Sequence, residues 1–340
     1  GTYLKLNINN FDNNRSNNNF NIKKWFSFTD LAFESSNNKF TDYKIAKENI
    51  LQNLRNAIDD QSISDVNLGV FLSGGIDSSL IALLKSQQSK TKIDTFTIAF
   101  EDDDFNEASY AREISKQINS NHYELMVKEK SIYEVIEKLP DIYDEPFADS
   151  SQIPTSILCM NAKKHLSVCL TGDGGDEIFG GYNRYIWYQK VWKNIYMLPS
   201  FIKYSISKII LLLPIEYWDN LNSLIHKMKF MRASEIHFLG QKLHRLANNL
   251  RNIKTREELY YTFIQNFSNN LDFMKKQEIN NEDYLNISKF KSDNFEEIMM
   301  HNDSIDYLPN DILTKVDRAS MFSSLETRAP FLDLDVMQSA

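Results

Sequence analysis

Apolar and polar positions follow two different periods through the first half of this chain. Short apolar runs rich in β-branched and aromatic residues predict strands, and apolar residues spaced three or four positions apart predict helices. Predicted strands lie within 70–80 and at 93–100, 122–127 and 166–170, with helices at 42–59, within 70–80, and at 107–118, 131–139 and 151–163. Strands that alternate with helices are typical of a parallel sheet covered on both faces. We therefore predict an α/β fold with a parallel, doubly wound sheet.

A glycine loop interrupts the first strand-to-helix segment and reads Ser-Gly-Gly-Ile-Asp-Ser-Ser from 73 to 79. Glycines without Cβ atoms allow backbone N–H groups to form a concave nest, and the positive end of the following helix faces the same point. No lysine follows the glycines, as it would in a nucleoside-triphosphate loop, and Asp77 suggests a bridging Mg²⁺ instead. The alternative is a glycine turn before a serine-capped helix. The predicted anion site comprises Ser73, Gly74, Gly75, Asp77, Ser78 and Ser79.

A second glycine loop follows the predicted strand at 166–170. Between Gly172 and Gly181 lie five of the ten glycines of the whole chain. Such a density predicts close approach of the backbone to a ligand, the alternative being a solvent-exposed turn. Since both loops follow strands of one parallel sheet, we expect them at the same edge. Asp77 and Asp176 are then expected to share a Mg²⁺ bound to one pyrophosphate.

Composition excludes several classes of protein. The 340 residues carry a formal net charge of −8, which argues against a protein whose main function is to bind nucleic acid. The longest apolar run, 209–213, is too short to span a bilayer, so we expect no membrane partner. Cys159 and Cys169 lack zinc-ligand spacing, and we interpret them as buried, reduced thiols of a cytoplasmic protein. The six histidines show no paired metal spacing either.

Several motifs resemble those of known enzymes. The loop at 73–79 resembles the pyrophosphate loop of the ATP-pyrophosphatase families. Four further segments together resemble the synthetase domain of glutamine-dependent asparagine synthetases, namely 144–149, 171–182, 308–321 and 326–333. The resemblance implies an adenine nucleotide alpha-hydrolase-like sheet, ATP and Mg²⁺, and amidation of a carboxylate such as aspartate. It also implies an acyl-adenylate intermediate, release of AMP and pyrophosphate, and ammonia supplied by glutamine.

The same resemblance suggests roles for individual residues. Asp173 stands where many family members carry Glu, and its implied role is to take a proton from the attacking ammonium. Arg318 is expected to pair with a carboxylate or phosphate, with Lys315 as a second candidate. Exposed charges on a helix are the alternative for both. The implied adenosine contacts are Phe71, Ile98, Thr171 and Gly172, and Asp317 and Ser320 are expected near the substrate. Asp144, Glu145 and Asp149 are lower-ranked candidates, and Glu326 with Arg328 is predicted to form a structural ion pair.

The resemblance also predicts a domain organisation. Residues 1–42 are expected to be the remnant of an N-terminal glutaminase domain with a linker, followed by a synthetase domain at 43–340 that is truncated at its C-terminus. A helical insertion is expected at about 185–300, with its periodic aromatic residues in the core and its basic 226–256 segment as a solvated helix face. A homodimer is possible. Two alternatives stay open, a ligase for another carboxylate, including a cyclising one, and a non-catalytic ATP-binding scaffold.

Overall fold

A computed structural model describes residues 1–5, 22–100, 106–227, 239–250, 253–264, 290 and 292–340. The chain divides into two compact units, one formed by Gly1–Gly181 with Phe290–Ala340 and the other by Tyr182–Lys289. Within the described ranges, no helix combines the length and apolar character needed to cross a membrane. The candidate site lies entirely in the first unit.

A five-stranded sheet forms the centre of the first unit. Its strands follow one another in the order β5-β4-β3-β6-β7, and every neighbouring pair is parallel. The bounds are β3 Leu68–Phe71, β4 Asp94–Ala99, β5 Asn121–Met126, β6 Val168–Leu170 and β7 Glu326–Arg328. The predicted parallel α/β sheet is confirmed. Strand β7 was not predicted, because its three residues, Glu-Thr-Arg, are polar and form no apolar run.

Helices cover both faces of this sheet. Their bounds are α1 Phe28–Ser36, α2 Tyr43–Gln61, α3 Ile76–Gln88, α4 Ala108–Gln117, α5 Glu129–Ile136, α6 Leu139–Tyr143, α7 Gln152–Ala162, α8 Gly175–Phe179, α14 Phe295–Asn302, α15 Thr314–Phe322 and α16 Leu334–Ser339. The helix predicted at 131–139 is two helices, because Pro140 has no N–H to continue the hydrogen-bond ladder and lies in the first turn of α6 instead. The alternation of helices with strands matches the predicted order elsewhere.

The pleat of the strands divides the core into two layers. Val70 and Leu72 point to the layer that α2, α3, α4 and α16 cover, whereas Phe71 packs in the opposite layer with α7 and α15. Cys159 and Cys169 are buried free thiols of that opposite layer. Burial raises the pKa of the Cys159 thiol to about 12, so it stays protonated at neutral pH. Their predicted burial is confirmed.

Two further elements frame this unit. Strands β1 Thr2–Leu4 and β2 Ile22–Lys24 form a separate antiparallel pair, while residues 6–21 between them lie outside the described residues. A π-helix spans Asp303–Leu313 between α14 and α15 and contains Pro309. The Pro309 carbonyl accepts a hydrogen bond from the Thr314 hydroxyl at 2.8 Å. This wider turn leads directly into the helix that carries Lys315 and Arg318.

The second unit is helical in its described part. Its helices are α9 Asn183–Tyr196, α10 Ser200–Leu212, α11 Ile215–Lys227, α12 Leu239–Leu250 and α13 Arg256–Ile264. Helix α12 packs against α10, where the Ser207 hydroxyl donates to the Ala247 carbonyl at 2.7 Å. The expectation that its periodic aromatic residues are core is only partly right. Tyr185 and Tyr188 are buried, but Trp187 and Tyr196 are exposed. Trp187 lies on the side of α9 opposite Tyr185, and Tyr196 is the last residue of the helix.

Candidate active site

The two glycine loops meet at the carboxyl edge of the sheet. They follow β3 and β6, which are hydrogen-bonded neighbours, so the sheet itself places them side by side. A Cβ atom on Gly172 would lie 2.8 Å from the Ser78 backbone nitrogen, and one on Gly175 would lie 2.6 Å from Cγ of Asp77. These glycines therefore allow close contact between the loops, whereas the sequence predicted only close contact with a ligand. The expected juxtaposition of the loops is present.

The first loop has a well-defined hydrogen-bonded shape. Gly74 adopts a left-handed conformation with φ of 89° and lies against the start of α4, a position that L side chains disfavour. The Ser73 N–H donates to the Ser78 hydroxyl at 3.1 Å, and the Gly75 N–H donates to the Ser73 hydroxyl at 3.2 Å. In the described part of the chain, the buried Ser79 hydroxyl has no hydrogen-bond partner. These hydrogen bonds fix the loop against the first turn of α3, and the Ser79 hydroxyl belongs to that turn.

Asp77 and Asp176 are close enough for the charge of one to act on the other. Burial and, to a smaller extent, the nearby charge of Asp176 together raise the pKa of Asp77 to about 6. Among the described residues, no group of three or more His, Cys, Asp or Glu side chains is arranged to hold a metal. Mg²⁺ commonly takes only one or two carboxylates and completes its shell with phosphate oxygens and water. The pair therefore fits a Mg²⁺ that arrives with a phosphate ligand.

A pocket of about 390 Å³ opens beside the second loop. Its lining residues are Thr171, Asp173, Pro309, Leu313, Thr314, Val316, Asp317, Thr327 and Ala329. Burial raises the pKa of Asp173, while a hydrogen bond with Thr171 and the charge of Lys315 oppose the shift. A carboxyl group with a raised pKa can gain a proton more easily than an exposed one. The pocket thus places a candidate proton acceptor next to the loops.

Lys315 lies in a buried ion pair rather than in the pocket lining. Its Nζ atom donates to Oδ2 of Asp149 at 2.8 Å and to the Ser151 hydroxyl at 2.9 Å. Burial alone would raise the pKa of Asp149, but hydrogen bonds from Lys315 and Ser151 outweigh it and lower that pKa to about 2. Asp149 ranked low from the sequence, yet it fixes the lysine that influences Asp173. Lys315 is therefore placed to act on Asp173 through its charge.

Asp311 is a site residue that the sequence did not single out. Burial, together with a hydrogen bond to Asp149 and the charge of that residue, raises the pKa of Asp311 to about 6. Its Oδ1 atom is buried and lacks a partner among the described residues. Asp311 follows Pro309 in the π-helix, and no glycine or paired motif in the sequence marks it. The only feature of the sequence that pointed to Asp311 was its position within 308–321, one of the segments that carry the family resemblance.

Arg318 and two of the residues assigned to adenosine, Phe71 and Ile98, lie outside the pocket lining. The Arg318 guanidinium pairs with Asp144 at 2.6 Å, and both side chains are largely exposed. Phe71 ends β3, and Ile98 lies on the neighbouring strand β4. The structure does not bring Phe71, Ile98 or Arg318 into the pocket lining, although Thr171 belongs to it. Their proposed contacts stay predictions.

The predicted ion pair after the site is confirmed. Arg328 Nε donates to Glu326 at 2.7 Å, and its Nη1 atom donates to the backbone carbonyls of Gln61 and Ile63. Arg328 thereby ties β7 to the end of α2. The nearby Ser320 hydroxyl donates to the Asp317 carbonyl at 3.1 Å, which gives it a role within α15.

Comparison with known proteins identifies the family of this architecture. The family model described as asparagine synthase matches residues 49–340. Asparagine synthetase [glutamine-hydrolyzing] 1 of Bacillus subtilis (strain 168) is 28% identical over 309 residues, which cover 88% of this chain and 45% of that protein. A Mycobacterium bovis protein provisionally named asparagine synthetase [glutamine-hydrolyzing] is 32% identical over 82% of this chain and 39% of its own length.

A provisionally named asparagine synthetase [glutamine-hydrolyzing] 2 of Methanocaldococcus jannaschii is 37% identical over 157 residues, covering 46% of this chain and 30% of the relative. The chain thus spans less than half the length of these curated relatives. The match covers both glycine loops, the pocket and the Lys315 ion pair. The chain therefore belongs to the asparagine synthase family, and the part that contains its parallel sheet is the synthetase domain of that family.

Proposed function

We propose that this chain forms the ATP-dependent, amide-forming part of a carbon–nitrogen ligase. The observation that carries the proposal is the meeting of two glycine loops, with the Asp77–Asp176 pair, beside the pocket that contains Asp173. An amide forms from a carboxylate only after one carboxylate oxygen becomes a leaving group. Transfer of that oxygen to the α-phosphate of ATP gives an acyl-adenylate and releases pyrophosphate. Ammonia then displaces AMP.

The first loop is suited to the pyrophosphate. The N-terminal turn of α3 presents backbone N–H groups and the positive end of a helix dipole. Asp77 and Asp176 would hold the Mg²⁺, which supplies neutralisation of phosphate charge when bound. The raised pKa of Asp77 supports this assignment, because a nearby cation would relieve the repulsion between the carboxylates.

Asp173 is the proposed proton acceptor for the attacking ammonium. It lines the pocket next to Thr171, and its raised pKa suits a group that takes up a proton during the reaction. Lys315 would keep that carboxylate ionised before ammonia arrives, because its positive charge opposes the effect of burial. The Asp149 ion pair in turn holds the lysine in place. Arg318 is proposed to contact the substrate carboxylate or phosphate after exchange of its exposed Asp144 partner.

Aspartate is the proposed carboxylate substrate and glutamine the proposed source of ammonia. The names of the relatives support both assignments, since each is called a glutamine-hydrolysing asparagine synthetase. We also propose that residues 1–42 are the end of a glutaminase domain and its linker. A cytoplasmic location and a homodimer stay predictions.

The proposal is tested by exchange of labelled pyrophosphate into ATP. The protein with its native flanking sequence is assayed with Mg²⁺ and a panel of carboxylates that begins with aspartate. We expect aspartate-dependent exchange that disappears in Asp77→Ala and persists in Asp65→Ala, a change at an exposed loop residue. Exchange that requires another acid would reassign the substrate. ATP binding without exchange for any acid would favour a non-catalytic scaffold.

A further inference from the structure

The pocket beside the second glycine loop has an acidic lining. Among the nine described residues that line it, two carry carboxyl groups, three carry hydroxyl groups, and none is Lys, Arg or His. The carboxyl groups belong to Asp173 and Asp317, and the hydroxyl groups belong to Thr171, Thr314 and Thr327. The other four lining residues are apolar. A ligand group that enters this pocket is therefore favoured when it carries positive charge and hydrogen-bond donors.

Helix α15 carries two cationic side chains, and both are paired outside the pocket lining. Nζ of Lys315 lies 2.8 Å from Oδ2 of Asp149, and Nη1 of Arg318 lies 2.6 Å from Oδ2 of Asp144. The two cations are three residues apart, so they share one side of the helix, which faces the 144–149 segment. Both positive charges are thus balanced by carboxylates of that segment instead of by the acidic lining of the pocket.

Asp317 lies on a different side of α15. It stands two residues after Lys315, and the 3.6-residue turn of a helix directs the two side chains apart. Thr314, three residues before Asp317, shares its side and also lines the pocket. The Asp317 side chain is exposed, and within the described ranges its carboxylate receives no hydrogen bond and pairs with no cation. An unpaired carboxylate in the wall of a ligand pocket is well suited to accept charge-assisted hydrogen bonds.

We propose that Asp317 is a specificity-determining residue that binds the ammonium group of the substrate. This inference rests on the proposed function, in which ATP activates a carboxylate of the same substrate molecule. An ammonium group has three N–H donors, and the Asp317 carboxylate and the Thr314 and Thr327 hydroxyls supply acceptors for them. The Thr314 hydroxyl donates its own proton to the Pro309 carbonyl, which leaves its oxygen as an acceptor. The pocket thus selects amino acids over carboxylates that lack an amino group.

Equilibrium binding of aspartate and succinate tests this proposal, because succinate has both carboxylates of aspartate and lacks only the amino group. Isothermal titration uses the protein with its native flanking sequence, Mg²⁺ and α,β-methylene-ATP, an analogue that cannot release pyrophosphate. We expect aspartate to bind at least about tenfold more tightly than succinate. Asp317→Asn should weaken aspartate binding about tenfold without weakening succinate binding. Asp317→Glu should retain the preference, and so should the control Asp65→Asn at an exposed residue.

Three binding results would overturn the proposal. These are a lack of aspartate binding, equal affinity of the unmodified chain for both acids, and an equal loss of both affinities in Asp317→Asn. Pyrophosphate exchange on the same preparations separates this proposal from the proposed function. Aspartate binding that depends on Asp317, without exchange for any acid, would support the ammonium site and contradict the ligase function. Aspartate-dependent exchange with an unchanged KM in Asp317→Asn would contradict the ammonium site alone.

Discussion

Asp77 is a carboxyl group that the fold makes difficult to ionise. Its pKa is about 6 in the folded chain, against an ordinary value of 3.8. The folded state therefore holds this proton to higher pH than the unfolded state, and stability falls as the pH rises from about 4 to about 6. The free-energy cost of ionising Asp77 reflects its burial and the neighbouring charge of Asp176. A site that is strained without its cation is typical of a metal-dependent ligand site.

Replacing this carboxyl group should stabilise the ligand-free protein. We expect Asp77→Asn to raise the free energy of unfolding by about 1–2 kcal/mol near pH 8, after allowing for partial solvent screening, and by less near pH 5. Urea denaturation at the two pH values in the presence of a chelator measures the difference. Asp65→Asn serves as the exposed control. An equal gain at both pH values would attribute the effect to packing instead of ionisation.

Asp173 has a role that kinetics can separate from ATP activation. Asp173→Asn should slow amide formation by about 10²–10⁴-fold, the usual worth of a positioned proton acceptor, with a much smaller effect on pyrophosphate exchange. Asp173→Glu should retain amide formation, since it keeps the carboxylate. Rapid-quench measurement of amide and exchange assays on the same preparations provide the two rates. Equal slowing of both reactions would exclude the role in proton transfer.

At the scale of elements, the buried ion pair joins α15 to the turn before α7. Lys315 and Asp149 are both nearly inaccessible, and Asp311 lies close enough to bond to Asp149. Removing the lysine would leave a buried carboxylate beside a second carboxyl group without its cation. The pair thus affects both the packing of α15 and the electrostatic setting of Asp173.

Two ion pairs on the same helix provide a matched comparison. We expect Lys315→Met to lower the free energy of unfolding by about 3 kcal/mol, because it leaves Asp149 buried and unpaired. Arg318→Met removes an exposed pair with Asp144 and should cost less than about 1 kcal/mol. Chemical denaturation of both variants at one pH measures the contrast. Similar costs for the two variants would show that burial does not determine the value of the Lys315 pair.

The contact between the glycine loops can be changed at one Cβ atom. In Gly172→Ala, the added methyl would lie 2.8 Å from the Ser78 nitrogen, which forces the loops apart. We expect ATP affinity to fall at least about tenfold, with a loss of about 1–3 kcal/mol in unfolding free energy. Isothermal titration with Mg²⁺ and ATP, combined with denaturation, separates the two effects. Unchanged ATP affinity in a folded variant would exclude the loop contact as part of the nucleotide site.

At the scale of the whole molecule, ligand binding should join segments that are far apart in the chain. The two loops lie about 100 residues apart in sequence but at neighbouring strands. A ligand that contacts both loops stabilises the folded state by about 2.7 kcal/mol at a concentration one hundred times its Kd, which corresponds to about 4 °C in Tm for a chain of this length. We expect Mg²⁺ with ATP to produce this shift in differential scanning fluorimetry. Asp176→Asn, or ATP with a chelator, should lose most of it.

Residue patterns were sufficient to predict the sheet and the two loops for a physical reason. Both depend on local features, namely hydrophobic period, glycine clusters and the rule that carboxyl ends of parallel strands share an edge. Strand β7 and Asp311 escaped prediction because each depends on contacts distant in sequence. β7 is a strand through its pairing with β6, and Asp311 acquires its raised pKa through burial and through its hydrogen bond to Asp149.

The sequence by itself determined the fold class, the alternation of strands and helices from β3 to β6, and the family resemblance carried by its motifs, because these follow from neighbouring residues. The tertiary structure decided which side chains act together. Only packing placed Lys315 on Asp149 and left Trp187 and Phe201 exposed. The pKa of a side chain depends on its burial and on its distance from other charges, and a linear sequence states neither. The chemistry of the site therefore became specific only when the sheet brought its loops together.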